Sequence, residues 1–362
     1  MAKKKIITKK SEVFLEKYLN NPSPTGFESG GQKMWLDYIS PYIDEHFVDT
    51  YGTVVGVINP EAKYKVVIEA HADEISWFVH YITKDGYIYL RRNGGSDHQI
   101  APSKRVNIHT EKGMVKAVFG WPAIHTRTAG TEKSPKLDNI FLDCGCANKE
   151  EVEELGIHVG CVVTYEDEFM ILNDKYYVGR ALDNRIGGFM IAEVARLLKE
   201  NKVKLPFGLY ITNSVQEEVG LRGAQMIVER IRPDVAIVTD VCHDTGTPMI
   251  NKIKQGDTKC GDGPVLTYGP AVQNNLLELI ITAAEKNKIP FQRAAASRAT
   301  GTDTDAFAYA TGGVASSLIS LALRYMHTTV ETVSREDVEN VIRLIYESLQ
   351  KIKNNHDFRY LK

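Results

Sequence analysis

The apolar positions of this chain do not keep one period. Over Ser11–Leu19 they fall at helical spacing, and again over Gly31–Ile43, with the turn-rich Asn21-Pro-Ser-Pro-Thr-Gly26 between them. Lys65–Ala70 is a short Val- and Ile-rich run, a buried strand that leads directly into His71-Ala-Asp73. From about Ser76 to Glu168 the texture changes. Gly86–Leu90, Arg105–His109 and Met114–Phe119 are short β-type runs separated by Gly, Asn and Asp. That stretch predicts a small barrel or sandwich, with one helix over Asn148–Leu155 and a mobile loop over Trp121–Lys136.

Beyond about Lys175 strands and helices alternate. Leu182–Leu198 sets Ile186, Phe189, Met190, Val194 and Leu197 on one helical face. Strands follow at Phe207–Thr212, Val235–Thr239, Phe291–Ala295 and Val314–Ser320, with helices at Leu221–Ile231, Gln273–Lys286, after Asp303, and at Arg335–Lys353. This alternation predicts an α/β fold, a mixed, mostly parallel sheet flanked by helices, with the β module inserted into it. The expected segments are 1–74 and 171–362 for the α/β domain and 75–170 for the insertion.

Composition narrows the class. The 362 residues carry 44 Lys+Arg against 46 Asp+Glu and are 43% hydrophobic, which excludes wholesale disorder. A net charge of -2 removes the signature of a dedicated nucleic-acid binder. No run approaches the roughly 18 apolar residues of a membrane span. The basic start lacks the apolar stretch of a secretion signal, and the 5 cysteines make an odd count. The expectation is a cytoplasmic protein with reduced thiols.

In open α/β sheets ligands bind beyond the carboxyl ends of the strands. Here those ends carry acidic and imidazole groups: His71 and Asp73, Glu217-Glu218 shortly after a strand, Asp240, and Arg324-Tyr-Met-His327, with Asp183 at the start of a long helix. Singly, each has a plainer reading. Asp183 suits an N-cap, Glu217-Glu218 suit a helix dipole, and His327 suits an ordinary packed residue. His71 with Asp73 is the stronger pair, because ligating imidazoles hand their other N–H to a carboxylate. Jointly placed, these residues are a divalent-metal candidate.

Ala70-His-Ala-Asp-Glu-Ile75, Ala181-Leu-Asp-Asn-Arg-Ile-Gly187, Gln216-Glu-Glu-Val-Gly-Leu-Arg-Gly-Ala224, Thr239-Asp-Val241, Gly301-Thr-Asp-Thr-Asp305 and Arg324-Tyr-Met-His-Thr328 occur in this order. Together they resemble the dinuclear metallo-aminopeptidases of the deblocking and glutamyl type, the tetrahedral aminopeptidases, some of whose relatives are labelled glucanases. The resemblance spans almost the whole chain. It implies Asp183 as the carboxylate bridging two metal ions, His71 and Asp240 completing one site, and Glu218 and His327 completing the other. It implies Glu217 as general base, Asp73 as the orienting carboxylate of the catalytic set, and a cis peptide at Asp183-Asn184. Thr302, Asp303 and Arg324 fall in motifs linked to the substrate pocket. For Asp303 a helix cap, and for Arg324 an ion pair, stand as even alternatives.

Two divalent ions per subunit are thus implied, zinc foremost, with cobalt or manganese equally compatible with nitrogen and oxygen donors. Peptides are the implied substrates and a homo-oligomer, a dodecamer in the family, the implied assembly, with no nucleic-acid or membrane partner. The rivals are a deacylase or carboxypeptidase on the same site, a glycoside hydrolase, and a non-catalytic binding assembly. Ser76 and Ala322 depart from the family's usual Gly and Pro, which touches the pocket's shape and not the proposed ligands. His98, His125 and His243 are taken as structural, Cys242 as a free thiol. Arg92, Arg293 and Arg298 are candidate positive charges for an acidic substrate, none of them favoured.

Overall fold

The computed structural model describes residues 6–130 and 133–361. Its centre is a mixed 11-stranded sheet. The middle four strands, Gly208–Ser214, Lys65–His71, Val235–His243 and Ala315–Arg324, lie side by side in that order and are mutually parallel. They are buried along almost their whole length, the pattern of strands covered on both faces.

The sheet is less parallel than its sequence suggests. Glu45–Val48 and Val54–Ile58 add an antiparallel edge on one side, while Glu331–Ser334, Tyr176–Gly179 and Met170–Leu172 do so on the other. Each of these has five residues or fewer, too short for an alternating pattern to stand out. The helix expected to run to Ile43 stops at Ile39 and becomes a short 3₁₀ turn, Ser40–Tyr42. Pro41 in that turn has no N–H to give and its ring blocks continuation. The last helix ends at Leu349, four residues before the expected end.

Long helices cover the sheet. Leu182–Glu200 lies across the Lys65–His71 strand and against the Arg335–Leu349 helix, and its apolar face is almost wholly buried. It does not begin as a regular helix. Asp183 and Asn184 have non-helical backbone angles and are joined by a cis peptide bond, the feature the resemblance implies.

The inserted module is a closed barrel of six strands: Ser76–Ile82, Ile88–Asn93, Arg105–Thr110, Gly113–Gly120, Phe141–Asp143 and Val162–Tyr165. Closure leaves no free strand edge, which decides barrel over sandwich. It has its own core, built around Trp77, Ile88, Val106, Phe119, Leu142 and Val163. The helix expected at Asn148–Leu155 is present as Lys149–Glu154, capped by the Asn148 side chain. In the 121–136 loop Ile124–Thr126 forms a 3₁₀ turn, and residues 131 and 132 lie outside the described residues. No described helix is long and apolar enough to cross a membrane.

Candidate metal centre

Strand register assembles the site. The pairing of Val238 with Glu69 puts Asp240 level with His71, both at the carboxyl ends of parallel strands. Asp183 enters from the irregular start of the covering helix, and its backbone N–H donates to Glu331 Oε2 at 3.0 Å. Glu217 and Glu218 come from the turn after Ser214, and His327 from the turn after Arg324.

Asp183 sits between two imidazoles. Its Oδ1 is 3.2 Å from His71 Nε2 and its Oδ2 is 3.3 Å from His327 Nε2. Asp240 Oδ1 lies 3.8 Å from His71 Nε2, and Glu218 Oε1 lies 3.5 Å from His327 Nε2. Two groups able to hold a cation result, His71–Asp183–Asp240 and Asp183–Glu218–His327, and Asp183 belongs to both. Glu217 belongs to neither group, and its Oε2 lies beside them, 3.8 Å from His71 Nε2.

A second layer fixes the first. Asp73 Oδ1 lies 3.3 Å from His71 Nδ1, and the same carboxylate accepts the backbone N–H of Glu217 and Glu218. Glu331 joins the two halves: one oxygen accepts from Asp183 N–H, the other from His327 N–H at 2.8 Å. Glu28 Oε1 accepts from Gly26 and Gln216, anchoring the turn that leads into Glu217. Glu331 and Glu28 escape the sequence reading. They are lone acids in no motif, and each also binds a partner remote in sequence, 148 and 188 positions away.

The electrostatics are those of a buried, mostly acidic cluster. Burial would raise the Asp183 pKa, but His327 and His71 outweigh it and hold it below the ordinary range. Burial pushes Asp240 well up, and the Asp183 and Glu217 charges add to it against the opposing pull of His71. Glu217 is raised to about 9, first by burial and then by Asp303, Glu218 and Asp183 in excess of the pull from His71. His327 moves the other way from what burial alone would do: Asp183 and Glu218 carry it to about 11. Glu218 Oε1 is buried and, among the described residues, accepts no well-formed hydrogen bond, with His327 Nε2 at 3.5 Å. Buried carboxylates in this number need positive charge. The donor set, nitrogen and oxygen without thiolate, fits divalent zinc, cobalt or manganese.

The pocket candidates separate. Asp303 is buried and faces Glu69, close enough to the cluster for its charge to raise Glu217. It makes no side-chain cap to the Thr304–Ala308 helix, so the capping alternative does not hold. Thr302 is spent within its own turn, bonded to Thr300 and Thr304. Arg324 stacks over Tyr176 and lies 3.6 Å from Asp244, the ion-pair alternative. Neither of these two makes a described polar contact with the cluster. Asp183 turns its carboxylate to His71 and His327 and not back to a helix N–H. Ser76 is buried and its Oγ accepts from Asn93, while Arg92 pairs with His98. Cys242 is a free thiol, its pKa pushed up to about 12 by burial.

With this geometry in view, the comparisons with known proteins are consistent. Residues 52–344 match the model of the M42 glutamyl aminopeptidase family. The chain is 32% identical to lysyl aminopeptidase of Pyrococcus furiosus, over 94% of this chain and 96% of that protein. It superposes on a TET aminopeptidase from a marine sediment Thaumarchaeota archaeon with a TM-score of 0.91 and 31% identity, covering 96% and 97% of the two chains. A further likeness is to the Pyrococcus horikoshii TET1 peptidase, which can assemble into a tetrahedron or a large octahedral shell (TM-score 0.82, 27% identity, 93% and 98% covered). The chain belongs to the M42 glutamyl aminopeptidase family and is an aminopeptidase.

Proposed function

For an aminopeptidase of this family, we propose a dinuclear site in which Asp183 bridges two divalent ions. His71 and Asp240 complete one coordination group, Glu218 and His327 the other. The observation that carries this reading is Asp183 itself, whose two oxygens face two different imidazoles at 3.2 and 3.3 Å. Bound there, such ions polarise a peptide carbonyl and lower the pKa of water.

The chain supplies the proton transfer. Glu217 is the general base: it takes a proton from the attacking water and returns it to the leaving amine. Its high pKa in the metal-free cluster arises from burial and neighbouring carboxylates, and two added cations oppose both effects. Asp73 holds Glu217 and Glu218 through their backbone while leaving their carboxyls free. Thr302, Asp303 and Arg324 are the proposed pocket residues. Of the three, the position of Asp303 beside the cluster gives it the best support.

The barrel is the proposed self-association module of a homo-oligomer, a dodecamer by analogy with the tetrahedral relative, and short peptides are the proposed substrates. Five free cysteines suit a reducing cytoplasm. The family description and the relative point to side chains of opposite charge, glutamyl and lysyl, so the preferred residue is read by experiment. A panel of aminoacyl arylamides with N-acetylated controls, assayed before and after chelation and re-addition of Zn²⁺, Co²⁺ or Mn²⁺, tests the proposal. Metal-dependent cleavage of the free-amine substrates alone is the expected result. Equal cleavage of the blocked controls, or activity that survives chelation, would overturn it.

A further inference from the structure

His327 is held from two directions. Its backbone N–H goes to Glu331, while its ring Nδ1 lies 3.2 Å from the carbonyl oxygen of Gly95. Gly95 does not belong to the α/β domain. It follows the barrel strand Ile88–Asn93, in a turn tied down on both sides. Asn93 Nδ2 donates to the Thr25 carbonyl and to Ser76 Oγ, and Ser96 Oγ donates to the Ser76 carbonyl at 2.6 Å.

A carbonyl only accepts, so the Nδ1 facing it carries the proton. In a neutral imidazole the lone pair is then on Nε2. That is the atom facing Asp183 Oδ2 and Glu218 Oε1. The turn also leaves no spare room. A Cβ on Gly95 would come within 2.5 Å of His327 Nδ1 and Cε1. Gly94, with φ +78, would place one 3.1 Å from the Glu218 Cβ. The atoms a Cβ at 95 meets are those of the His327 ring, so a side chain there displaces the ring and moves Nε2 off its line.

We propose that the Gly94–Gly95 turn of the barrel is a positioning element of the Asp183–Glu218–His327 group, with the Gly95 carbonyl setting the tautomer and angle of His327 and the missing side chain at 95 leaving space for the ring. The inference rests on the two-metal reading above and adds that the inserted barrel completes one half of the centre. The residues of the other group, His71, Asp183 and Asp240, all come from elements of the α/β domain, and Asp183 is the one residue the two groups share.

The test is Co²⁺ titration of the full-length chain, followed by visible absorption and by equilibrium dialysis. Wild type is expected to take two equivalents. Gly95→Ala is expected to keep one equivalent at wild-type affinity and to bind the other about 10–100-fold more weakly, the scale of lost outer-shell support. To separate this effect from damage to the barrel, the same substitution is made in a His327→Ala background and melting is compared in metal-free protein. The clash predicts a destabilisation in wild type that vanishes once the ring is gone. Two equivalents at wild-type affinity in Gly95→Ala, or equal destabilisation in both backgrounds, overturns the inference while leaving the metal reading intact. A wild type that takes up no divalent ion overturns both.

Discussion

Asp73 and Glu217 are joined through carboxylate and backbone, the Asp73 Oδ1 accepting the Glu217 N–H at 3.0 Å. The second oxygen does the same for Glu218, and Thr25 Oγ1 donates to it at 2.9 Å. One buried side chain thus sets the His71 ring, the proposed base and a proposed ligand. Asp73→Asn turns an acceptor into a donor facing at least one of these N–H groups. We expect kcat to fall at least about 100-fold, comparable to losing the base itself. Steady-state kinetics at saturating metal would show it, and a wild-type kcat would remove Asp73 from the positioning role.

Glu217→Gln separates chemistry from binding. The variant should retain both metal equivalents while kcat falls about 10²–10⁴-fold. Asp183→Ala should lose metal first and activity with it, because both groups share that carboxylate. Metal content by elemental analysis, measured beside turnover, distinguishes the two. Normal peptide turnover by Glu217→Gln would assign the base elsewhere.

Glu331→Gln probes the link between the halves. A carboxylate accepts from both Asp183 N–H and His327 N–H, whereas an amide presents its NH₂ to one of them. Metal affinity, read by competition with a chelating dye, should weaken about 10–100-fold. Unchanged affinity would make Glu331 a bystander.

Metal and protons should compete. In the metal-free chain Asp183 and Glu218 outweigh burial and lift His327 from 6.5 to about 11. A raised imidazole stabilises the fold fully below 6.5 and loses that contribution as pH climbs towards 11, so metal-free protein should melt lower across that window. A ligating imidazole has no such proton, so affinity should rise with pH, and loading at neutral pH should release about one proton per histidine. Calorimetry in buffers of different ionisation enthalpy counts them. Uptake without proton release would contradict the paired state of His71 and His327.

Glu28 offers a stability test off the ligand set. Burial, then the Asp73 charge, raise it from 4.5 to about 7. A carboxyl raised in the fold costs stability once ionised, so the penalty is absent below 4.5 and complete above about 7. Glu28→Gln keeps an oxygen for Gly26 and Gln216, and should stabilise metal-free protein at pH 8 by up to about 3 kcal/mol. The gain should disappear at pH 4. Chemical denaturation at both values checks the sign.

The sequence determined the elements that are long or chemically marked. Lys65–His71, Leu182–Glu200 and Val235–His243 could be read from Val and Ile runs and from helical spacing, because burial on both faces or along one stripe imposes a local pattern. The metal candidates were legible for a related reason: Asp, Glu and His at strand ends break an apolar run where packing alone would favour another apolar residue. Tertiary structure alone decided the rest. The short antiparallel edges, barrel closure and the start of the long helix depend on partners remote in sequence. So do the supports of the site. Glu331, Glu28 and Gly95 carry no local signal, since hydrogen bonds to Asp183, Gln216 and His327 exist only when the sheet and barrel have brought those atoms to about 3 Å. Local chemistry names the groups that can hold a cation; the fold fixes the distances at which they do so.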